Sequence, residues 1–386
     1  MPATESYSPE PSILERKFAE YLARHSNDGT GTTQPTRADV QKISRVANWA
    51  IGLSAFAGIV SGGLIGGGEV WLRHGYFDGM EDVSWREAWP YWAMFYGFAG
   101  VVSAVEIASL YIMTLSGVAR VARHAALPLS RDEEKGLLAH SLARAALEFP
   151  NPQIRICGID PYARVSNWKL TLLNLAYKLK VGVSSFLLRV FLRRVAARMA
   201  IRGFVPLLAG PLYAFWNAFI VWRIMAEARM RTLGPYAVDN LIKAHFQNTD
   251  EIDETEKEVI LHAAGEMLIC GRDAHPNQAY LLVRLCHALG CEEKINLDWS
   301  DTRRHLPEME EAQQTRILDL MTVSCLIGSR IHTEQKLLLH EACQACGTGL
   351  DAVGLKALHK ALRRGETITP EKLAQTRESD TEPQRL

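Results

Sequence analysis

The chain has 386 residues, 48% apolar and 22% charged, with 43 basic side chains against 43 acidic ones. That length holds two or three domains, and the composition excludes a chain disordered throughout. The balanced total conceals a split: residues 120–231 carry 18 Lys and Arg against 6 Asp and Glu, and residues 235–386 carry 17 against 25. This asymmetry argues against a nucleic-acid partner and points to a basic middle facing anionic lipid, with an acidic domain beyond it.

Residues 1–36 read as an amphipathic helix and a flexible linker. Ser12 and Glu15 form a capping box, Leu14, Phe18, Tyr21 and Leu22 share one face, and DGTGTTQPT follows. The helix can dock on the rest of the protein or lie on lipid. A basic start followed at once by a short apolar core is missing, so no cleaved signal peptide is expected. Seven cysteines, an odd count without tight spacing, fit a reducing compartment.

Residues 37–124 read as a transmembrane helical hairpin. Ala47 to Gly68 carries no charge over 22 residues, enough helix to cover a hydrocarbon layer of about 30 Å. Ala88 to Ala119 carries one charge, Glu106, and spans equally well. The connector between them holds Asp78, Glu81, Asp82 and Glu87, whereas Arg120, Arg123, Arg131 and Lys135 follow the second run; the positive-inside rule therefore puts the connector outside. Trp71, Tyr76, Phe77, Trp85, Trp89, Tyr91 and Trp92 gather at that same end as an interfacial belt. Gly58, Gly62 and Gly66 recur at i, i+4, as do Gly100 and Ala104 on the second run, which favours close packing of the two helices or dimerisation. Glu106 is an intramembrane carboxylate, expensive unless it faces protein or water. It serves either an ion path or a bond to Ser103 or Ser109.

Residues 125–250 read as a basic membrane-interfacial helical region. Ser130 and Glu133 cap a helix that ends before Pro150. Farther on, Arg189, Arg193, Arg194, Arg198 and Arg202 interleave with apolar residues, as suits a helix lying in an anionic leaflet with guanidinium groups at phosphate depth. Gly203 to Trp222 is again uncharged, but Pro206, Gly210, Pro211 and Asn217 interrupt it, so a re-entrant hairpin is expected rather than a straight crossing. The segment GFVPLLAGPLYAFWNAFIVWRIMAEARMRTLGP resembles the equivalent part of EcsC-family membrane-associated proteins.

Residues 251–364 contain an internal duplication at an offset of 57 residues, with Ile260, Gly271, His275, Gln278, Leu282, Cys286 and Gly290 recurring as Ile317, Gly328, His332, Gln335, Leu339, Cys343 and Gly347. Each copy reads as two helices, each ending at a glycine C-cap, with the matched Leu and Cys in the core. This pattern resembles the tellurite-resistance TerB-like helical domain, and the resemblance implies a cytosolic bundle and a role in envelope or stress response. The family's acidic interhelical turns can hold a metal ion; of these only Asp273 and Glu334 carry over, too few oxygens for a hard cation. Residues 365–386 are polar and read as a disordered tail.

No HExxH, GxxxxGK[ST], GxSxG or strand-borne GxGxxG occurs, so no catalytic, cofactor-binding or metal-ligating residue and no cofactor is assigned. The expectation is an all-α protein: a transmembrane helical hairpin, interfacial helices and a duplicated TerB-like bundle. It would sit in a bacterial inner membrane as a multi-pass, homo-oligomeric protein with both termini cytoplasmic. The leading function is a non-enzymatic interaction or scaffold protein that meets an unknown partner through the bundle. A channel or transporter subunit using Glu106, and a membrane-surface enzyme, are the alternatives.

Overall fold

The structure, a computed structural model, describes residues 11–25, 34–77, 84–149 apart from 128 and 130–132, 151–168 apart from 152–154 and 167, then 171, 205–249, 252–290 apart from 273–274, 297, and 299–379. The fold is all-α, and its helices are α1 (Ile13–His25), α2 (Arg37–Phe77), α3 (Trp85–His124), α4 (Glu133–Ala146), α5 (Val205–His245), α6 (Glu254–Cys270), α7 (Pro276–Leu289), α8 (Trp299–His305), α9 (Glu311–Leu326), α10 (Thr333–Ala345), α11 (Ala352–Arg363) and α12 (Pro370–Ala374). A two-stranded antiparallel sheet, β1 (Thr348–Leu350) with β2 (Arg377–Ser379), pairs Gly349 with Glu378.

Two of these helices, α2 and α3, are long and apolar enough to cross a membrane. They form an antiparallel pair: Gly68 meets the Phe98 ring at one end and Gly117 lies near Ala50 at the other. Ser84 and Glu87 make a capping box at the start of α3.

Within the stretch expected to form a re-entrant hairpin, residues 205–222 do not turn back. They belong to α5, one continuous helix of 41 residues that passes through Pro211 and Pro235. Pro206 falls in the first turn, where its missing N–H has no helical acceptor to lose. A Cβ at Gly210 would lie 3.6 Å from the Ile59 carbonyl oxygen, an ordinary contact distance, so α5 runs close along α2 there. The two are antiparallel, since Gly58 faces Tyr213 whereas Ser44 faces Arg229.

The main core joins α1, the inner ends of α2 and α3, α4, the second half of α5 and the duplicated helices. Val221, Met225, Ala228, Tyr236, Val238 and Leu241 of α5 are buried in it, so the core does not divide near residue 250. The tail is ordered through Ser379, correcting the disorder expected of it: Thr376 returns its carbonyl to the Asp351 N–H, and Arg377 pairs with buried Asp319. Residues beyond 379 lie outside the described part.

Candidate functional site: a polar seam in an apolar bundle

The outer faces of α2, α3 and α5 are apolar. Phe56, Leu64 and Trp71 on α2, Val101, Val105 and Ile112 on α3, and Phe215 on α5 are all exposed. Polar side chains point inward instead: Ser54, Ser61, Ser103, Glu106, Thr114 and Asn217 are all buried. Ser54, Ser61 and Thr114 bond carbonyls of their own helices, which satisfies hydroxyls without a solvent.

Glu106 sits within this seam, where Asn217 donates its amide to Glu106 Oε1 at 2.6 Å. The bond ties α3 to α5 across 111 positions of sequence. Of the two expected hydroxyl partners, Ser109 donates to the Val105 carbonyl instead. In the sequence Asn217 reads as a helix breaker, and nothing in the local pattern signals its partnership.

Gly58 is buried and is a true close-approach position, because a Cβ there would lie 2.5 Å from the Tyr213 carbonyl carbon. Its neighbour is therefore α5, not α3 as the sequence suggested. Gly62 and Gly66 share the buried face of α2. Gly100 and Ala104 point outward on α3, and the space beside Gly100 is open, so they do not pack against α2. In the expected aromatic belt, Trp71 and Trp89 are exposed, but Tyr91 is buried with Ile65, Leu72 and Phe95. The side chains of Phe77 and Trp85, and the acidic connector residues Asp78, Glu81 and Asp82, lie outside the described residues. So do Ser130, the Glu133 side chain, Asp273 and the five arginines Arg189, Arg193, Arg194, Arg198 and Arg202.

Beyond the apolar stretch, α5 becomes the polar hub of the other half. Arg231 donates Nε to Glu227 Oε1 at 2.7 Å and reaches Asn151 at 3.0 Å, and Ser329 donates to Glu227 Oε2 at 2.6 Å. His275 places Nε2 3.4 Å from Glu227, and its Nδ1 accepts from the Asn277 N–H. Burial by itself would raise the Glu227 carboxyl; the Arg231 charge, His275 and Ser329 outweigh it and hold the group well below the usual carboxylate range. About two turns beyond Arg231, Asp239 accepts from Tyr280 at 3.2 Å and Arg284 at 2.8 Å, and farther along the same helix His245 lies 2.8 Å from Asp319. These contacts tie α5 to α7 through Tyr280 and Arg284 and to α9 through Asp319.

The N-terminal helix docks on α4 rather than standing apart. Glu15, buried, accepts from Arg144 Nε at 2.7 Å and faces His140 at 3.2 Å, so its carboxylate is used for docking instead of capping. Leu22 and Ala19 are buried there, while Leu14 and Tyr21 of the expected face remain exposed.

The duplication has a geometric signature. Gln278 donates to the Ser324 carbonyl and Gln335 to the Met267 carbonyl, and both the glutamines and their acceptors are 57 positions apart. The copies thus clasp each other reciprocally. His275 and His332 are the N-caps of α7 and α10, and Gly290 and Gly347 end those helices at φ of 67° and 69°. Gly271 and Gly328, in contrast, are not left-handed caps. At Gly271 a Cβ would meet Gln278 Oε1 at 2.8 Å, so the glycine makes room for the clasp. Ile260 and Ile317, Leu282 and Leu339, and Cys286 and Cys343 are buried as matched pairs.

Glu334, carried over as a metal-turn position, accepts from Arg272 Nε at 2.7 Å. Burial pushes the Cys343 and Cys346 thiols of the C-x-x-C up to about 11, which disfavours the thiolate that redox exchange requires. The Cys157 thiol behaves oppositely: a bond from Cys286 Sγ, 2.8 Å away, lowers it against the effect of burial.

Comparison of the chain with protein-family models, curated proteins and solved structures gives no match in any of the three.

Proposed function

We propose that the chain is a multi-pass membrane anchor for a cytosolic, TerB-like interaction module, acting as a non-enzymatic scaffold in a bacterial inner membrane. The observation that carries this reading is the inverted polarity of the long helices. Phe56, Val101, Ile112 and Phe215 face outward while Ser54, Ser61, Glu106 and Asn217 face one another, an arrangement that costs free energy in water and gains it in hydrocarbon.

The apolar section of α5 runs alongside that of α2 and crosses with it, beginning at the connector end. Ala19 and Leu22 of α1 share one buried core with the duplicated helices, which supports a C-terminal bundle on the same side as the N-terminus. Arg45, Arg120, Arg123 and Arg223 gather at that end, which the positive-inside rule assigns to the cytoplasm. The Glu106–Asn217 bond supports a structural clamp between α3 and α5 over an ion path.

Labelling tests the topology. With a membrane-impermeant maleimide on intact spheroplasts, Ser84→Cys should label at once, and the wild-type cysteines only after lysis. Labelling in the reverse order, or a full-length protein that stays soluble and monomeric without detergent, overturns the reading.

A further inference from the structure

Where the apolar helices enter the cytosolic core, a cavity of about 510 Å³ opens between α2, α5 and α11. Its position is set by the sequence: the uncharged stretch of α2 begins at Ala47 and that of α5 ends at Trp222, and both residues line the cavity. One wall is apolar, built from Ile51, Trp222 and Met225. The other holds Arg229, Lys360, Arg363 and Arg364, and no carboxylate is among its lining residues.

Arg229 is the most constrained of the four. Its Nη1 donates to Ser44 Oγ at 2.9 Å, while its Nε is buried without a hydrogen-bond partner among the described residues. Burial, and then the Arg363 charge, push its pKa below the ordinary arginine value. Gathering like charges beside a partly buried guanidinium is unfavourable until an anion with several acceptor oxygens joins them. Nearby His359 is occupied elsewhere, its Nε2 being 3.1 Å from the Gly328 carbonyl.

We propose that this cavity binds the headgroup phosphate of an anionic phospholipid from the inner leaflet, with Arg229 and the α11 cations on the phosphate and an acyl chain along Ile51 and Trp222. The indole of Trp222, exposed at the rim, lies where amphipathic rings favour the headgroup layer. A basic pocket between helices on the cytoplasmic side is the chemistry that selects such lipids. The bound phosphate would bridge the membrane helices α2 and α5 to α11, so lipid composition would act directly on the cytosolic bundle. The proposal rests on the membrane-anchor reading above.

The test uses the full-length protein in detergent, titrated with phosphatidylglycerol and with phosphatidylcholine of matched acyl chains, bound lipid being read by native mass spectrometry. Phosphatidylglycerol should be retained preferentially. Arg363→Gln with Arg364→Gln should weaken it by at least about tenfold and Arg229→Gln by about fivefold, taking each cation near an anionic surface as worth roughly 1 kcal/mol. Arg303→Gln with Arg304→Gln, which changes charge equally but far from the cavity, should leave the preference intact. Equal retention of the two lipids, or equal effects of the two double variants, overturns the proposal. So does saturation by inorganic phosphate or glycerol phosphate without lipid, which would identify a soluble phosphate site. Flotation on phosphatidylcholine vesicles separates the two readings: a protein that does not float loses the anchor itself, whereas one that floats with an unaltered lipid preference in the variants loses only the pocket.

Discussion

Glu106 stands out in the sequence because it is the sole acid in a long apolar run, and in the fold it is buried. Its partner was illegible, because Asn217 lies on another helix and an amide in an apolar segment reads equally well as a breaker or as a clamp. The glycines teach the same lesson with sharper energetics. Gly58 and Gly63 stand in the same glycine-rich run of α2, yet a Cβ at Gly58 would strike the α5 backbone, whereas nothing lies within 4 Å of a Cβ at Gly63. Gly58→Ala should therefore destabilise the detergent-solubilised protein by about 1–3 kcal/mol through overpacking. Gly63→Ala should stabilise it by about 0.5–1 kcal/mol through helix propensity. Thermal unfolding of the two variants checks the contrast, and equal shifts would mean that α2 and α5 do not touch at Gly58.

At the scale of elements, the duplication was legible because both copies keep the same polar residue at the same buried place. Gln278 and Gln335 are poor choices for a helix interior unless each finds an acceptor, and the acceptors are equivalent carbonyls on the opposite copy. Gln278→Leu and Gln335→Leu should each cost about 1–2 kcal/mol, the usual loss of a buried hydrogen bond, and should cost nearly the same. Denaturant unfolding measures both; a loss at one position only would show that the clasp is not reciprocal. The continuity of α5 was not legible. Pro211 and Asn217 are helix-weakening in isolation, and only contact with α2 and α3 makes the unbroken helix the better solution. The tail misled for a related reason. Its polar composition says disorder, but Arg377 has a buried carboxylate waiting at Asp319, and residues 348–350 offer a strand edge.

Across the whole molecule, α5 couples the apolar bundle to the main buried core, and Glu227 is the charge on which that coupling turns. Its folded carboxyl is held below its ordinary value of 4.5, so its contribution is fully present above that value and is lost as pH falls below about 4.5 toward the lowered folded value. Glu227→Gln should cost about 3 kcal/mol at pH 7 by leaving Arg231 buried without its carboxylate. The gap between wild type and variant should then narrow on acidification through that window. Melting curves at pH 7 and at about pH 4 give the comparison, and a constant gap would remove Glu227 from the linkage.

The order of residues by itself determined the helical class, the two long apolar helices and the repeat at 57 residues. Those follow from periodicity and length, which are local. Tertiary structure alone decided that α5 lies along α2, that Asn217 answers Glu106, that Glu15 docks α1 on α4, and that Arg229 meets Arg363 and Lys360 at the mouth of one cavity. These pairings join residues over a hundred positions apart. Whether they form depends on which faces the packed helices present to each other, and no local pattern carries that information.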